Sequence, residues 1–162
     1  MIRSVEPGDA SAICSIYNYY IHETTVTFEE APVSINEMER RIREISAAYP
    51  WFVYVDDNAV IGYAYLSRWK ERSAYRFSAE ITAYIKQGHE KKGIGTELYT
   101  RLLEAAQKAG IHAVIAGITL PNENSIALQE KFGFKKIAHL NEVGYKQGKW
   151  LDVGYWELIL GS

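Results

Sequence analysis

The sequence predicts one α/β domain built on a mixed, mostly antiparallel, twisted sheet flanked by helices, in the order β-α-α-β-β-β-α-β-α-β-β. Three observations carry that expectation. Runs with a two-residue alternation are joined by tight-turn residues, which makes antiparallel hairpins. One strand passes through a glycine-rich loop into an amphipathic helix and on to another strand, the crossover that a parallel pair needs. The 162 residues, 48% of them hydrophobic, suffice for one closed core and would be cramped as two domains.

Each element has its own signal. Val5 leads out of a short first strand into Glu6-Pro7-Gly8-Asp9, where Asp9 can cap a helix carrying Ile13, Ile16, Tyr17, Tyr20 and Ile21 on one face. Ser34 and Glu37 stand in capping-box spacing ahead of Met38, Ile42 and Ile45, and this second helix stops before Pro50. Trp51 to Val55 and Val60 to Leu66 are β-rich runs separated by Asp56-Asp57-Asn58, residues that tolerate the positive φ of a hairpin. From Phe77 to Ile85, Phe77, Ala79, Ile81, Ala83 and Ile85 alternate with Ser78, Glu80, Thr82 and Tyr84. A helix after the glycine-rich Gly88 to Gly95 segment aligns Leu98, Leu102, Ala105, Ala106 and Ala109 and ends at Gly110. A strand from His112 to Thr119, a short helix from Asn124 to Phe132, and two strands joined near Gln147-Gly148 complete the chain.

Composition narrows the function classes. The formal charge is −2, from 18 basic and 20 acidic residues spread along the chain, so no long-range field draws in nucleic acid or an anionic membrane. Cys14 stands alone in an apolar helical pattern, which excludes an internal disulfide and fits a reducing cytosol. The first residues lack the apolar core of a secretory signal, and no run approaches the roughly 18 apolar residues of a spanning helix, so a cytoplasmic protein without membrane partners is expected. His22, His89, His112 and His139 have no metal-ligand spacing, and no metal is expected.

The most informative stretch is Gln87-Gly88-His89-Glu90-Lys91-Lys92-Gly93-Ile94-Gly95-Thr96, set between a strand and the first turn of a helix. Backbone N–H groups at a helix start lack internal partners, and the helix dipole adds positive character, so the position suits a phosphate or pyrophosphate. A nucleotide-hydrolysing P-loop would need Lys and Ser or Thr after its second glycine, where Ile94 and Gly95 stand. A dinucleotide-binding turn would need glycine at Leu98 and an alternating parallel fold. A glycine-rich turn into a helix that binds nothing is the remaining alternative on spacing alone.

The segment resembles the pyrophosphate loop of the GNAT superfamily of N-acetyltransferases, Arg/Gln-x-x-Gly-x-Gly/Ala. The likeness extends to its phosphinothricin and methionine sulfoximine (L-amino acid) acetyltransferase branch. It is carried by Thr25-Val26-Thr27-Phe28, Tyr49-Pro50-Trp51, the run Trp69 to Tyr75, Leu120-Pro121-Asn122 and the run Gly144 to Gly154, which together span nearly the whole chain. One departure lies in the loop, where Glu90 occupies the Arg/Gln position. Another lies in the last helix, where Gln129 stands in place of the Tyr that many members use as the acid for the leaving thiolate. That leaves solvent, Tyr84 or another tyrosine as the proton source.

The resemblance implies a GNAT fold with acetyl-CoA between two splayed strands. Its pantetheine would pair with the backbone of Ala83, Tyr84 and Ile85. Its pyrophosphate would lie on Lys91, Lys92, Gly93, Ile94, Gly95 and Thr96, with Asn122 and Asn124 as further contacts, though both Asn residues also suit helix capping. An amine must lose a proton before it can attack a thioester, and Glu80, on the polar face of its strand, is the candidate base, acting directly or through water. A solvated surface carboxylate is the competing reading of Glu80. By the same resemblance the acceptor is a small amino acid whose carboxylate meets Arg72, with Lys70 and Tyr75 in the same loop, Phe28 as an aromatic wall, and a homodimer as the assembly. Two other activities share these features: acetylation of a peptide or protein N-terminus, and acetyl-CoA sensing without transfer.

Overall fold

The computed structural model describes residues 1–161. Its elements are β1 (Ile2–Ser4), α1 (Ala10–Glu23), α2 (Ile35–Ser46), β2 (Trp51–Asp56), β3 (Ala59–Arg68), β4 (Ser78–Ile85), α3 (Ile94–Lys108), β5 (Ala113–Thr119), α4 (Glu123–Lys131), β6 (Lys135–Lys146) and β7 (Lys149–Ile159), with single 3-10 turns at Pro7–Asp9 and Ser73–Tyr75. The seven strands form one sheet in the order β1-β2-β3-β4-β5-β7-β6. Every neighbouring pair is antiparallel except β4 with β5, which are parallel and joined through α3. This is the mixed sheet and single crossover that the alternation pattern predicts.

Strand alternation sends side chains to two separate cores. On one face Leu98, Leu102 and Ala106 of α3 pack on Leu66, Ile81, Val114 and Trp156. On the other, Ile13, Ile16 and Ile21 of α1 with Met38 and Ile42 of α2 cover Trp51, Val53 and Tyr63. Leu98 and Leu102 are fully buried, and burying such a side chain contributes roughly 1.5–3 kcal/mol. The β2–β3 hairpin turns through Asp57 (φ 50°) and Asn58 (φ 61°), both left-handed, as a two-residue turn between twisted strands requires.

Some elements differ from the sequence reading. Ser34 caps α2 by accepting from the Glu37 amide at 3.1 Å, but Asp9 does not cap α1. Its carboxylate reaches back to the Glu6 amide at 2.8 Å and forms two 2.8 Å bonds with Arg3, so it closes the preceding 3-10 turn and ties it to β1. Phe77 lies outside β4, exposed beneath the Arg76 guanidinium, because that strand begins at Ser78. Trp150 and Trp156, six residues apart in one strand, are expected on one face and both packed, yet Trp156 is 2% exposed in the core while Trp150 is 63% exposed, with its ring 4.8 Å from that of Tyr145.

The sheet is interrupted at its centre. β4 and β5 pair only from Ser78–Ala113 to Glu80–Ile115. Beyond that rung β4 has β3 and β5 has β7 as its one strand partner, so the two strands part into a slot, where the Ile85 carbonyl accepts from the Tyr20 hydroxyl.

Candidate active site

Two cavities meet at the slot, one of about 450 Å³ that contains Glu80 and one of about 530 Å³ beside the start of α3. Val26, Ala83, Tyr84, Asn122 and Ser125 line both. The two cavities therefore adjoin along these shared residues, beside the strand gap.

On the α3 side, Gly93 holds φ 81° as the residue before the helix, a left-handed conformation that favours glycine. The helical ladder begins with the Glu97 amide bonding to the Gly93 carbonyl at 3.0 Å, which leaves the amides of Ile94, Gly95 and Thr96 without partners inside the helix. Lys131 of α4 adds a cation at the same end, 3.3 Å from the Thr96 hydroxyl. Free amides, the positive helix end and a lysine together fit an anionic group such as a pyrophosphate. Ala83, Tyr84, Ile85, Lys91, Gly93, Ile94, Gly95, Thr96, Asn122 and Asn124 all line this cavity, whereas Lys92 does not. Glu90 directs its carboxylate to the Gly88 amide at 2.8 Å, an internal bond of the loop. Asn122 caps α4 by accepting from the Ser125 amide at 3.2 Å and lines both cavities, while Asn124 sits in the first turn of α4.

Across the slot, Glu80 stands on the last rung of the β4–β5 pairing. A Cβ at Gly117 would meet the Tyr155 ring at 3.1 Å and Glu80 Oε2 at 3.7 Å, so the missing side chain gives the carboxylate its place beside Tyr155. Burial pushes the Glu80 carboxyl up from the ordinary carboxylate range, and the Lys70 charge pulls it partly back. The Tyr155 hydroxyl is raised in turn, by its own burial and by the Glu80 charge. Glu80 is therefore a half-buried carboxylate in a cavity wall and not a solvated one.

Two residues matter here that the sequence reading did not pair. Tyr99 of α3 and Gln129 of α4 both line the Glu80 cavity, and the Gln129 amide donates to the Tyr99 hydroxyl at 2.6 Å. Burial raises the Tyr99 hydroxyl to about 12, with the Gln129 bond opposing. The Gln129 Oε1 atom is buried without a partner. Tyr99 lies outside the Leu98, Leu102, Ala105, Ala106 and Ala109 stripe read from the sequence, and nothing in a sequence says that a core-facing Tyr directs its hydroxyl at a cleft.

Phe28 lines the Glu80 cavity, 40% exposed. Lys70, Arg72 and Tyr75 are exposed and line neither cavity; they lie in the run 70–77 that leads into β4. Among the described residues, no Lys or Arg lines the Glu80 cavity. Among the described residues, no group of three metal-ligating side chains occurs and no helix is long and apolar enough to cross a membrane.

The site has clear relatives. The chain matches the acetyltransferase (GNAT) domain family over residues 2–154. It is 38% identical over 156 residues to a phosphinothricin N-acetyltransferase of Streptomyces viridochromogenes, covering 96% of this chain and 85% of that one. It is 32% identical to an L-methionine sulfoximine/L-methionine sulfone acetyltransferase of Salmonella typhimurium, covering 98% and 94%. In three dimensions it superposes on Salmonella typhimurium yncA, solved with its cofactor acetyl-CoA, with a TM-score of 0.97 at 31% identity, covering 100% and 94%. A phosphinothricin acetyltransferase of Sinorhizobium meliloti in complex with acetyl-CoA gives a TM-score of 0.96 at 35% identity, covering 99% and 88%. Sequence, sheet topology and the amide-lined helix start thus agree that the chain belongs to the GNAT acetyltransferase family, whose acetyl donor is acetyl-CoA.

Proposed function

We propose that this protein transfers the acetyl group of acetyl-CoA to the α-amino group of a small amino acid or analogue of the phosphinothricin or methionine sulfoximine type. One observation carries the reading: a desolvated carboxylate, Glu80, stands where the strands part, in the wall of a cavity of about 450 Å³ that adjoins the amide-lined one. The amides of Ile94, Gly95 and Thr96 hold the pyrophosphate, and the unpaired edge of Ala83 to Ile85 guides the pantetheine into the slot. The amine enters from the Glu80 side, its ammonium proton passes to Glu80 directly or through one water, and the freed lone pair attacks the thioester carbon; the tetrahedral adduct then sheds its second N–H proton to solvent, its C–S bond breaks and coenzyme A leaves as the thiolate. Tyr99 remains protonated at neutral pH and hydrogen-bonds the sulfur as negative charge builds on it, the task for which Gln129 itself has no acid.

The acceptor's carboxylate finds no cation inside the cavity, so its partner comes from the rim. Arg72 is that residue in this reading, with Lys70 and Tyr75 beside it; the Lys70 charge is already felt at Glu80. Exposed Ile137, Leu140, Val143, Tyr145 and Trp150 on the β6–β7 hairpin support a homodimer formed through that hairpin. The lone reduced Cys14 fits a cytoplasmic enzyme.

The test is release of coenzyme A thiol from acetyl-CoA with a panel of free amino acids, phosphinothricin, methionine sulfoximine and N-terminal peptides. Turnover with the free acids supports the reading. Turnover with peptides alone moves the acceptor to a protein N-terminus, and binding of acetyl-CoA without thiol release leaves a sensor.

A further inference from the structure

The wall of the Glu80 cavity opposite the sheet is a loop, residues 24–29 between α1 and α2, from which Val26, Thr27 and Phe28 line the space. A loop is a poor wall unless something fixes it. Here the β6–β7 hairpin does so from outside. Lys146, the last residue of β6, is 4% exposed and directs its ammonium to the Thr27 carbonyl at 2.7 Å. In the adjoining turn, Gln147 Nε2 reaches the carbonyls of His22 and Thr24 at 3.4 and 3.3 Å. Two residues earlier in β6, the Phe28 ring lies flush on Gly144, where a Cβ would come within 2.3 Å of the ring. β6 carries two extra residues between its Leu140–Val153 and Gly144–Leu151 pairs, which brings Val143 to the cavity as well.

Lys146 is costly where it stands. Burial lowers its pKa, opposed by the charges of Glu30 and Glu29, and it forms no ion pair with either. A buried ammonium without a counter-ion opposes folding, so its value lies in what it holds. It holds the carbonyl between Val26 and Phe28. From the inner side Thr27 is bound to the Tyr17 hydroxyl at 2.7 Å, and Glu29 is clasped by Arg41 at 2.8 and 2.9 Å. The segment is pinned on both sides, with only its cavity-facing side chains left to meet a ligand.

We propose that Gly144 and Lys146 are positioning residues for the acceptor: they latch the 24–29 loop to the β6–β7 hairpin and so set where Phe28 stands in the acceptor cavity. This rests on the amino acid acceptor proposed above. Neither residue touches the acceptor, so substituting either one acts through Phe28.

Two variants test the latch. Lys146→Met keeps the length and removes the bond to the Thr27 carbonyl; the acceptor KM is expected to rise about tenfold with the acetyl-CoA KM little changed, and amide exchange of residues 24–29 to quicken. Gly144→Ala forces the Phe28 ring aside and is expected to raise the acceptor KM in the same way, an effect that disappears in a Phe28→Ala background. A lower melting temperature with unchanged acceptor KM in both variants overturns the proposal, as does a Gly144→Ala effect that persists without Phe28. Should Lys146→Met fail to fold, the Gly144–Phe28 cycle decides alone. If the wild type acetylates no free amino acid, the acceptor reading fails separately, while unchanged exchange of residues 24–29 in both variants refutes the latch itself.

Discussion

Glu80 and Ile115 form the last rung joining β4 to β5, so the candidate base stands at the fork from which the slot opens. Its position follows from strand pairing and not from a flexible loop. A base on a rigid strand beside an open gap can be approached by the donor from one side and the acceptor from the other.

Glu80→Gln removes the base and little else, because the two side chains have the same shape. We expect kcat to fall by about 10²–10⁴-fold with acetyl-CoA affinity close to that of the wild type. Steady-state kinetics with isothermal titration of acetyl-CoA separates the two quantities. Wild-type turnover would return Glu80 to an ordinary wall residue.

The pH profile carries a signed expectation. Burial raises the Glu80 carboxyl, so it takes up its proton at a higher pH than a free glutamate, near 4.3, and kcat/KM falls with acidification through that raised value. The Lys70 charge opposes the rise; Lys70→Met therefore moves the acid limb to higher pH, by an amount that shrinks in high salt. Between the unfolded and the raised folded value the native state binds the extra proton, so stability drops as pH rises through this window. Glu80→Gln escapes that drop, and its melting temperature should exceed that of the wild type at pH 7 but not at pH 4.

Tyr99→Phe deletes the hydroxyl to which Gln129 donates and leaves that buried amide unpaired. We expect a loss of about 1–3 kcal/mol in stability and a fall in kcat of at least about tenfold. Gln129→Leu in the same background restores much of the stability and none of the rate. Denaturant unfolding beside kinetics distinguishes these outcomes.

Gly93→Ala places a Cβ on a residue at φ 81°, a strain of roughly 1–2 kcal/mol. Either the protein loses that stability or the turn shifts and the first amides of α3 lose their aim. In the second case the dissociation constant of coenzyme A should rise about tenfold, read by calorimetry, and in the first it stays near that of the wild type while the melting temperature falls. Ala substitution at exposed Lys92, outside the cavity, should change it little.

Arg72→Ala tests the rim cation. An acceptor carboxylate that loses its bidentate partner should show a KM raised about 10–100-fold, with no change for amines that carry no carboxylate. An equal effect on both substrates would assign Arg72 to folding or assembly.

Much was determined by the sequence alone. The two-residue alternation of β4, the Asp57-Asn58 turn, the Ser34 cap and the glycine loop ahead of α3 are local features, written in spacings that do not depend on the rest of the chain. They sufficed for the element order and the anion-suited helix start, while the family came from the resemblance carried by that loop and the stretches 25–28, 49–51, 69–75, 120–122 and 144–154. Asp9 shows the limit: a residue with several possible backbone partners chose Glu6 and Arg3 through the packing of the first turn on β1. Only the tertiary structure decided where β4 and β5 separate, that Gln129 donates to the Tyr99 hydroxyl, that no Lys or Arg among the described residues lines the Glu80 cavity, and that Lys146 holds the Thr27 carbonyl 119 residues away. Each of these depends on which distant segments share a volume, and side-chain direction and desolvation are set by that shared volume, not by neighbours in the chain.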